Sequence, residues 1–331
     1  MSHGTFSVAA ALVGNAVITV AKFIGFYISG SSALFSEAVH SFADTMNQSL
    51  LLIGIKKSGK RADDKYAYGY GQERFLWALI SACGIFFLGA GVTAYNGIEV
   101  LLHPRPLELN PLIYFILTVS FIIETSTFYI ALKELRHSGG EKKIRELLKT
   151  GDPTVIAVLY EDFVALIGVL VAFTSITLSL VTQKYYWDAI GSVIIGVMLA
   201  VVAILLINKN RSYLIKKSIP EEVKDRIIEL LEADSTIERV LDFKSSVLDI
   251  NHYRIKCEVE FNGSALLAEE SLSDNLRTDF DRSNGDFEEF KKLFVGYLDR
   301  VPRLIGKRID QIEKMIKNEF PEVVHIDIEI N

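Results

Sequence analysis

Six stretches of the 331-residue chain are apolar over the roughly 20 helical residues that a bilayer requires. They are Phe6–Ile28, Ala33–Ile55, Phe75–Leu102, Leu112–Leu132, Val155–Val181 and Tyr186–Ile207. After Asn208 the pattern changes. "IPEEVKDRIIELLEAD" has helical spacing, with Pro220 and Glu221 suited to a helix start. "RVLDFKSSVLDI" and "HYRIKCEVEF" alternate like half-buried strands, and Ile255, Cys257, Val259 and Phe261 fall on one face. "RLIGKRIDQIEKMIKNEF" predicts a second amphipathic helix stopped by Pro321, and "VVHIDIEI" a last strand. The expected fold class is a polytopic α-helical membrane protein: six transmembrane helices over residues 1–208, then an α+β domain over 209–331. An insertion at about 263–303 carries Phe287, Phe290, Phe294, Tyr297 and Leu298 on one helical stripe.

Charge adds a direction. Basic residues gather after span two (Lys56, Lys57, Lys60, Arg61, Lys65), after span four (Arg136, Lys142, Lys143, Arg145, Lys149) and after span six (Lys209, Arg211, Lys216, Lys217). The opposite loops hold little beyond Arg105 and Lys184. The positive-inside rule then places both termini in the cytoplasm. At 50% hydrophobic the chain is too apolar for an ordinary soluble protein, and no nucleic-acid partner is expected. The first apolar stretch lacks a basic leader and is too long for a signal peptide, so it is expected to be retained. Cys83 and Cys257 lie far apart, which predicts two inert thiols in a reducing compartment rather than a disulfide or a paired-cysteine zinc site.

The polar residues inside the spans carry the chemistry. A charged group at bilayer depth costs at least about 2.5–3.5 kcal/mol, so it needs a reason to be there. In "SEAVHSFADTMNQ", Glu37, His40 and Asp44 stand three and four residues apart, which stacks them on one helix face, and Gln48 extends the row. Span five adds Glu161 and Asp162, whose side chains diverge by about 100° on a helix. Imidazole with carboxylates suits a borderline divalent metal, whereas an all-oxygen set favours manganese or magnesium. His40 tilts the choice to Zn2+, with Fe2+, Co2+, Ni2+ and Mn2+ left open. Asn15 and Lys22 share a face of span one, and Glu124 is expected to pair or cap. Asp188 is expected to serve as a helix-dipole partner.

With these residues in view, the chain resembles the cation diffusion facilitator family along nearly its whole length, most closely the zinc transporter nine branch. "HSFAD" looks like the family's span-two metal pair, and "EDFVALIG" places Asp162 six residues before Gly168 as in its span-five motif. "YAYGYGQERFLWALI" resembles the signature leading into span three, and "VVHIDIEI" a last strand with a His-x-Asp pair. The resemblance implies a ferredoxin-like cytoplasmic domain, a homodimer joined partly through it, and metal ligands His40, Asp44 and Asp162. One departure stands out. Where the family usually has His or Asp four residues before the span-five Asp, this chain has Val158. Glu161 is the substitute, and Glu37 or water the fallback. In the tail, His252, His325 and Asp327 are weaker candidates for cytoplasmic metal ligands.

The expected function is a secondary transporter that exports a divalent cation, zinc favoured, in exchange for protons, from the cytoplasm across the cell (inner) membrane. It is not expected to be an enzyme. An intramembrane metal-dependent hydrolase would use Glu161 as its base, but the sequence offers no HExxH and no nucleophile. A membrane-anchored metal sensor would not need ionisable residues in two separate spans.

Overall fold

The computed structural model describes residues 3–108, 110–139, 153–269, 272–283 and 285–331. The basic residues Lys142, Lys143, Arg145 and Lys149 of the loop after span four lie outside the described residues. The chain forms two compact units, residues 1–215 and 216–331.

The first unit is a helical bundle. Its elements are α1 (His3–Ser29), α2 (Ser32–Ser58), α3 (Glu73–Gly84) running through a π-helical segment (Ile85–Gly91) into α4 (Val92–Leu102), α5 (Pro111–Gly139), α6 (Pro153–Thr182) and α7 (Tyr186–Leu214). Among the described residues, four helices are long and apolar enough to cross a membrane: Glu73–Leu102, Pro111–Lys133, Val158–Thr182 and Tyr186–Leu214. In α1 a shorter apolar stretch, Gly14–Ser29, is added to them. α2 falls short in apolarity for a simple reason. Its buried side includes Ser36, Glu37, His40, Ser41 and Asn47, while Phe42, Met46 and Ile53 face outward. Helices α1, α3, α6 and α7 surround it. The polar span thus lies inside the bundle and apolar residues clothe the outside, as lipid demands.

Two devices fix how α2 enters the bundle. Gly30 adopts φ +71°, a left-handed conformation that closes α1, and its N–H bonds Phe26 O at 2.8 Å. Ser31 then caps α2, its Oγ accepting from Leu34 N at 3.1 Å. Asp188 of α7 strengthens the cap. Its Oδ1 accepts from Ser31 Oγ at 2.6 Å, and its Oδ2 from Ser32 N at 2.5 Å. Asp188 stands in the first turn of its own helix, as foreseen, and serves the start of a neighbouring helix as well. Close packing of α4 on α7 depends on absent side chains: a Cβ on Gly196 would come within 3.0 Å of Ala94 N, and one on Gly97 within 2.8 Å of Val193 Cγ2.

The loop into α3 is held by its own aromatic signature. Asp63 accepts from the backbone of Lys65 and Tyr66 and, at 2.7 Å, from the Tyr70 hydroxyl. That bond pushes the Tyr70 hydroxyl up to about 12. Lys57 lies 4.6 Å over the Trp77 ring, where the second span ends.

Among the described residues the second unit has the order helix, strand, strand, three helices, strand. α8 (Glu221–Glu232) precedes β1 (Ile237–Asp249) and β2 (His252–Phe261), an antiparallel pair with Phe243 opposite Cys257. After α9 (Gly263–Glu269) and α10 (Leu272–Arg282), α11 (Phe287–Glu319) crosses over to β3 (Val323–Ile330), which runs parallel to β2. The sheet order is β1-β2-β3. Ile255, Cys257 and Val259 on β2 and Ile326 and Ile328 on β3 are buried, as are Ile227 and Leu231 of α8 and Ile312 and Ile316 of α11. The period-2 and period-3.6 patterns correspond to these apolar faces. One boundary differs from expectation. The second tail helix begins at Phe287 rather than Arg303 and runs through Pro302, so the aromatic stripe of the insertion is its first half. Tyr297 OH ties it to α10 through Asp279 at 2.6 Å.

Both cysteines are free thiols, and Cys257 is buried. Burial pushes its thiol up to about 12. Cys257 should therefore resist maleimide at pH 7.5 in the folded protein and react only after denaturation. Prompt labelling in a Cys83→Ser background would show that the β2 face is not buried.

Candidate cation site in the membrane domain

The stacking of ionisable residues on α2 is realised. His40 and Asp44 stand one turn apart, with Nε2 to Oδ2 at 3.5 Å, and His40 is 2% exposed. The contact lacks hydrogen-bond alignment, so both ring nitrogens of His40 are buried without a partner. α6 presents Glu161 and Asp162 towards the same region. The charges of Glu161, Glu124 and Asp162 all act on Asp44. Asp162 keeps one buried oxygen, Oδ2, without a partner, while Thr127 of α5 bonds the side chain. Unsatisfied buried polar atoms are expensive and rare in proteins. Here three of them, on two helices, belong to an imidazole and a carboxylate with lone pairs to offer.

The row on α2 bends at its inner end. Asn47, not Gln48, continues the buried face: its amide donates to Glu161 Oε2 at 2.5 Å and its Oδ1 accepts from Ser81 Oγ at 2.6 Å. Asn47 is three residues from Asp44 and seven from His40, so the helical spacing that found the others could have found it too. Val158 packs, as do Phe128 and Leu132, against an apolar cluster of Ala131, Leu135, Ile156 and Leu159.

Glu37, the fallback ligand, is committed elsewhere. Its Oε2 accepts from Lys22 Nζ at 2.9 Å, both side chains being fully buried. Lys22 also donates to Ser41 Oγ at 2.8 Å and lies 3.8 Å from Glu124 Oε1. Glu124 thus pairs, as the sequence suggested. Among the described residues, no three His, Cys, Asp or Glu side chains converge closely enough to hold one metal ion. In this conformation His40, Asp44, Glu161 and Asp162 are neighbours rather than a closed coordination shell.

The tail candidates are dispersed. Asp327 pairs with Arg254 at 3.0 Å across the β2–β3 register, and His252 Nδ1 lies 3.0 Å from Ile250 O. His325 stands opposite Arg254 in that register. Burial lowers the imidazole of His325, which Asp327 opposes and Arg254 and Lys317 reinforce.

A multi-pass helical bundle with an imidazole and carboxylates buried between facing spans is the architecture of a membrane protein that handles ions. A family model described as the cation efflux transmembrane domain matches residues 8–215. The chain belongs to the cation efflux family. It is 36% identical over 318 residues to the proton-coupled zinc antiporter SLC30A9, mitochondrial, of Mus musculus, covering 93% of this chain and 55% of that one. It is 33% identical over 336 residues to metal tolerance protein C4 of Arabidopsis thaliana, covering 99% and 73%. A more distant relative, at 22% over 223 residues, is the manganese efflux system protein MneP of Bacillus subtilis (strain 168), covering 64% and 69%. The chain spans about half the length of the SLC30A9 proteins it matches.

Proposed function

We propose that this chain is a secondary transporter that exports a divalent cation, zinc in first place, from the cytoplasm in exchange for protons. The observation that carries the proposal is the buried His40 ring, with two unpartnered nitrogens, beside Asp44, on whose carboxylate the charge of Asp162, itself with an unpartnered oxygen, acts. His40, Asp44 and Asp162 are the proposed cargo ligands, with Glu161 adding charge at their side. The names of the relatives support the ion and the coupling: two concern zinc or metal tolerance and one manganese. His40 with carboxylates favours zinc, while Fe2+, Co2+, Ni2+ and Mn2+ stay within reach of the same donor set. No enzymatic step is assigned to the site.

The mechanism follows from competition. An imidazole must be deprotonated to give its lone pair to a metal, so each bound cation displaces protons from the site. When the site opens to the cytoplasm it loads metal and releases protons; when it opens to the far side the exchange reverses. The three-ligand set leaves room for a water, which favours release over permanent capture. The loops rich in Lys and Arg are proposed to face the cytoplasm, as are both termini, in the cell (inner) membrane. The working unit is proposed to be a homodimer.

Purified chain in sealed vesicles tests this. Zinc should accumulate inside, faster with an opposing proton gradient, and no hydrolysis product should appear. Zinc affinity should fall as pH is lowered from about 7.5 to 5.5, because protons and the cation compete for the same donors. Affinity flat across that window would argue against proton exchange at the site. Product without flux would indicate a hydrolase, and neither flux nor product a sensor.

A further inference from the structure

Lys22 is fully buried in α1, in a span where an ammonium has no water to solvate it. It is held by three oxygens from two other helices: Glu37 Oε2 at 2.9 Å and Ser41 Oγ at 2.8 Å from α2, and Glu124 Oε1 at 3.8 Å from α5. Two carboxylates and a hydroxyl around a buried positive charge form a cation site. Its occupant here is the protein's own side chain. A second observation shows that this pocket has unspent capacity. Glu37 Oε1 is buried without a hydrogen-bond partner. It reaches α6 at Gly168, where a Cβ would run into that oxygen. The ammonium therefore uses one oxygen of Glu37 and leaves the other, without a hydrogen-bond partner, packed against Gly168.

We propose that Lys22 is a tethered cation that plugs a second cation pocket, formed by Glu37, Glu124 and Ser41, and so confines the divalent cargo to the neighbouring pocket of His40, Asp44 and Asp162. This rests on the transport reading above but goes beyond it. It explains why five carboxylates on α2, α5 and α6 need not bind two metals. Glu37 and Glu124 share the single positive charge of Lys22, and the remaining three lie at the cargo site. The plugged pocket offers oxygen donors alone. Without Lys22 it would suit a hard divalent ion such as manganese better than zinc.

The test uses the full chain, loaded with zinc and then titrated with Mn2+, with bound manganese read by electron paramagnetic resonance. Lys22→Gln should bind one manganese more than the wild type, and its melting temperature should rise with Mn2+ when that of the wild type does not. Lys22→Arg keeps the plug and should match the wild type. Adding Glu37→Gln to Lys22→Gln should abolish the extra equivalent. A Lys22→Gln count equal to wild type, or an extra equivalent that survives Glu37→Gln, overturns the proposal. Should Lys22→Gln fail to fold, Glu37→Gln alone decides. With Glu37 held off the cargo, zinc affinity should stay within about threefold of wild type. A fall of about tenfold or more, the range seen when a metal site loses a supporting group, would make Glu37 part of the cargo site. The zinc content of the unmutated protein separates the two readings. If it binds no zinc that depends on Asp44, the transport site itself is wrong, whatever Lys22 does.

Discussion

His40→Ala and Asp162→Ala are each expected to lower zinc flux at least about 100-fold, beyond the 10–100-fold that follows loss of an outer partner of a metal site. The same variants should fold at least as well as the wild type. Both residues carry buried atoms with no hydrogen-bond partner, so the native state gains little from keeping them in the absence of metal. Removing a polar group from a dry interior relieves its desolvation, which is set against the loss of the Thr127 bond for Asp162 and of the 3.5 Å contact with Asp44 for His40. Zinc-free melting temperatures in detergent should therefore hold or rise. Zinc should separate the proteins. At about 100 times its dissociation constant a ligand adds roughly 2.7 kcal/mol to the state that binds it, so the wild type should gain and the variants should not. Asp44→Ala should behave likewise in flux, since its carboxylate feels Glu161, Glu124 and Asp162 at once. Near wild-type flux in any two of the three variants would sink the assignment. A steep loss of stability in all three would instead mark these groups as bundle glue.

Much of this was legible in the sequence because lipid and water impose different rules on it. Apolar runs of fixed length, loops biased in Lys and Arg, and the His40–Asp44 spacing each follow from a single physical constraint, and each can be read without neighbours. Partnerships across helices cannot. Lys22 and Glu37 are fifteen residues apart and Lys22 and Glu124 lie on different spans, yet they share one buried charge system. From spacing alone Glu37 belongs with His40 and Asp44; only packing shows that Lys22 holds it. Gln48 lies a step of four residues from Asp44 and Asn47 a step of three; spacing allows both, and packing selects Asn47. The start of α11 was misplaced for a local reason. Pro302 reads as a helix breaker, but a long amphipathic helix can carry one proline when its flanks supply enough turns. The tail pair His325 and Asp327 has the right spacing and a different local setting, because Arg254 on the adjacent strand pairs with the carboxylate.

Glu161→Gln is expected to weaken zinc binding by roughly tenfold, the lower edge of what outer partners contribute, and to slow transport without abolishing it. Glu161 immediately precedes Asp162 in sequence, but its side chain is held by Asn47 at 2.5 Å, and Asn47 is held in turn by Ser81 at 2.6 Å. This chain of bonds links α6, α2 and α3 and fixes where the extra negative charge sits. A charge placed so acts on the cargo through the low-dielectric interior even when it makes no direct bond. Asn47 and Glu161 should then behave as one unit. Asn47→Ala should weaken binding in the same direction, and the double variant should be no worse than Glu161→Gln alone, a coupling that a double-mutant cycle reads directly. Additive losses would mean that Asn47 supports the site by another route. Wild-type affinity in Glu161→Gln would leave water as the fourth donor and Glu161 as a polar tie between helices. Restoring the family's ligand with Val158→His should not rescue Glu161→Gln. Position 158 packs against the apolar cluster of Ala131, Leu135, Ile156 and Leu159, and an imidazole there would lie among apolar side chains. Recovery of zinc binding in the Val158→His, Glu161→Gln double variant would show that α6 turns about its axis between the cargo-free and cargo-bound states.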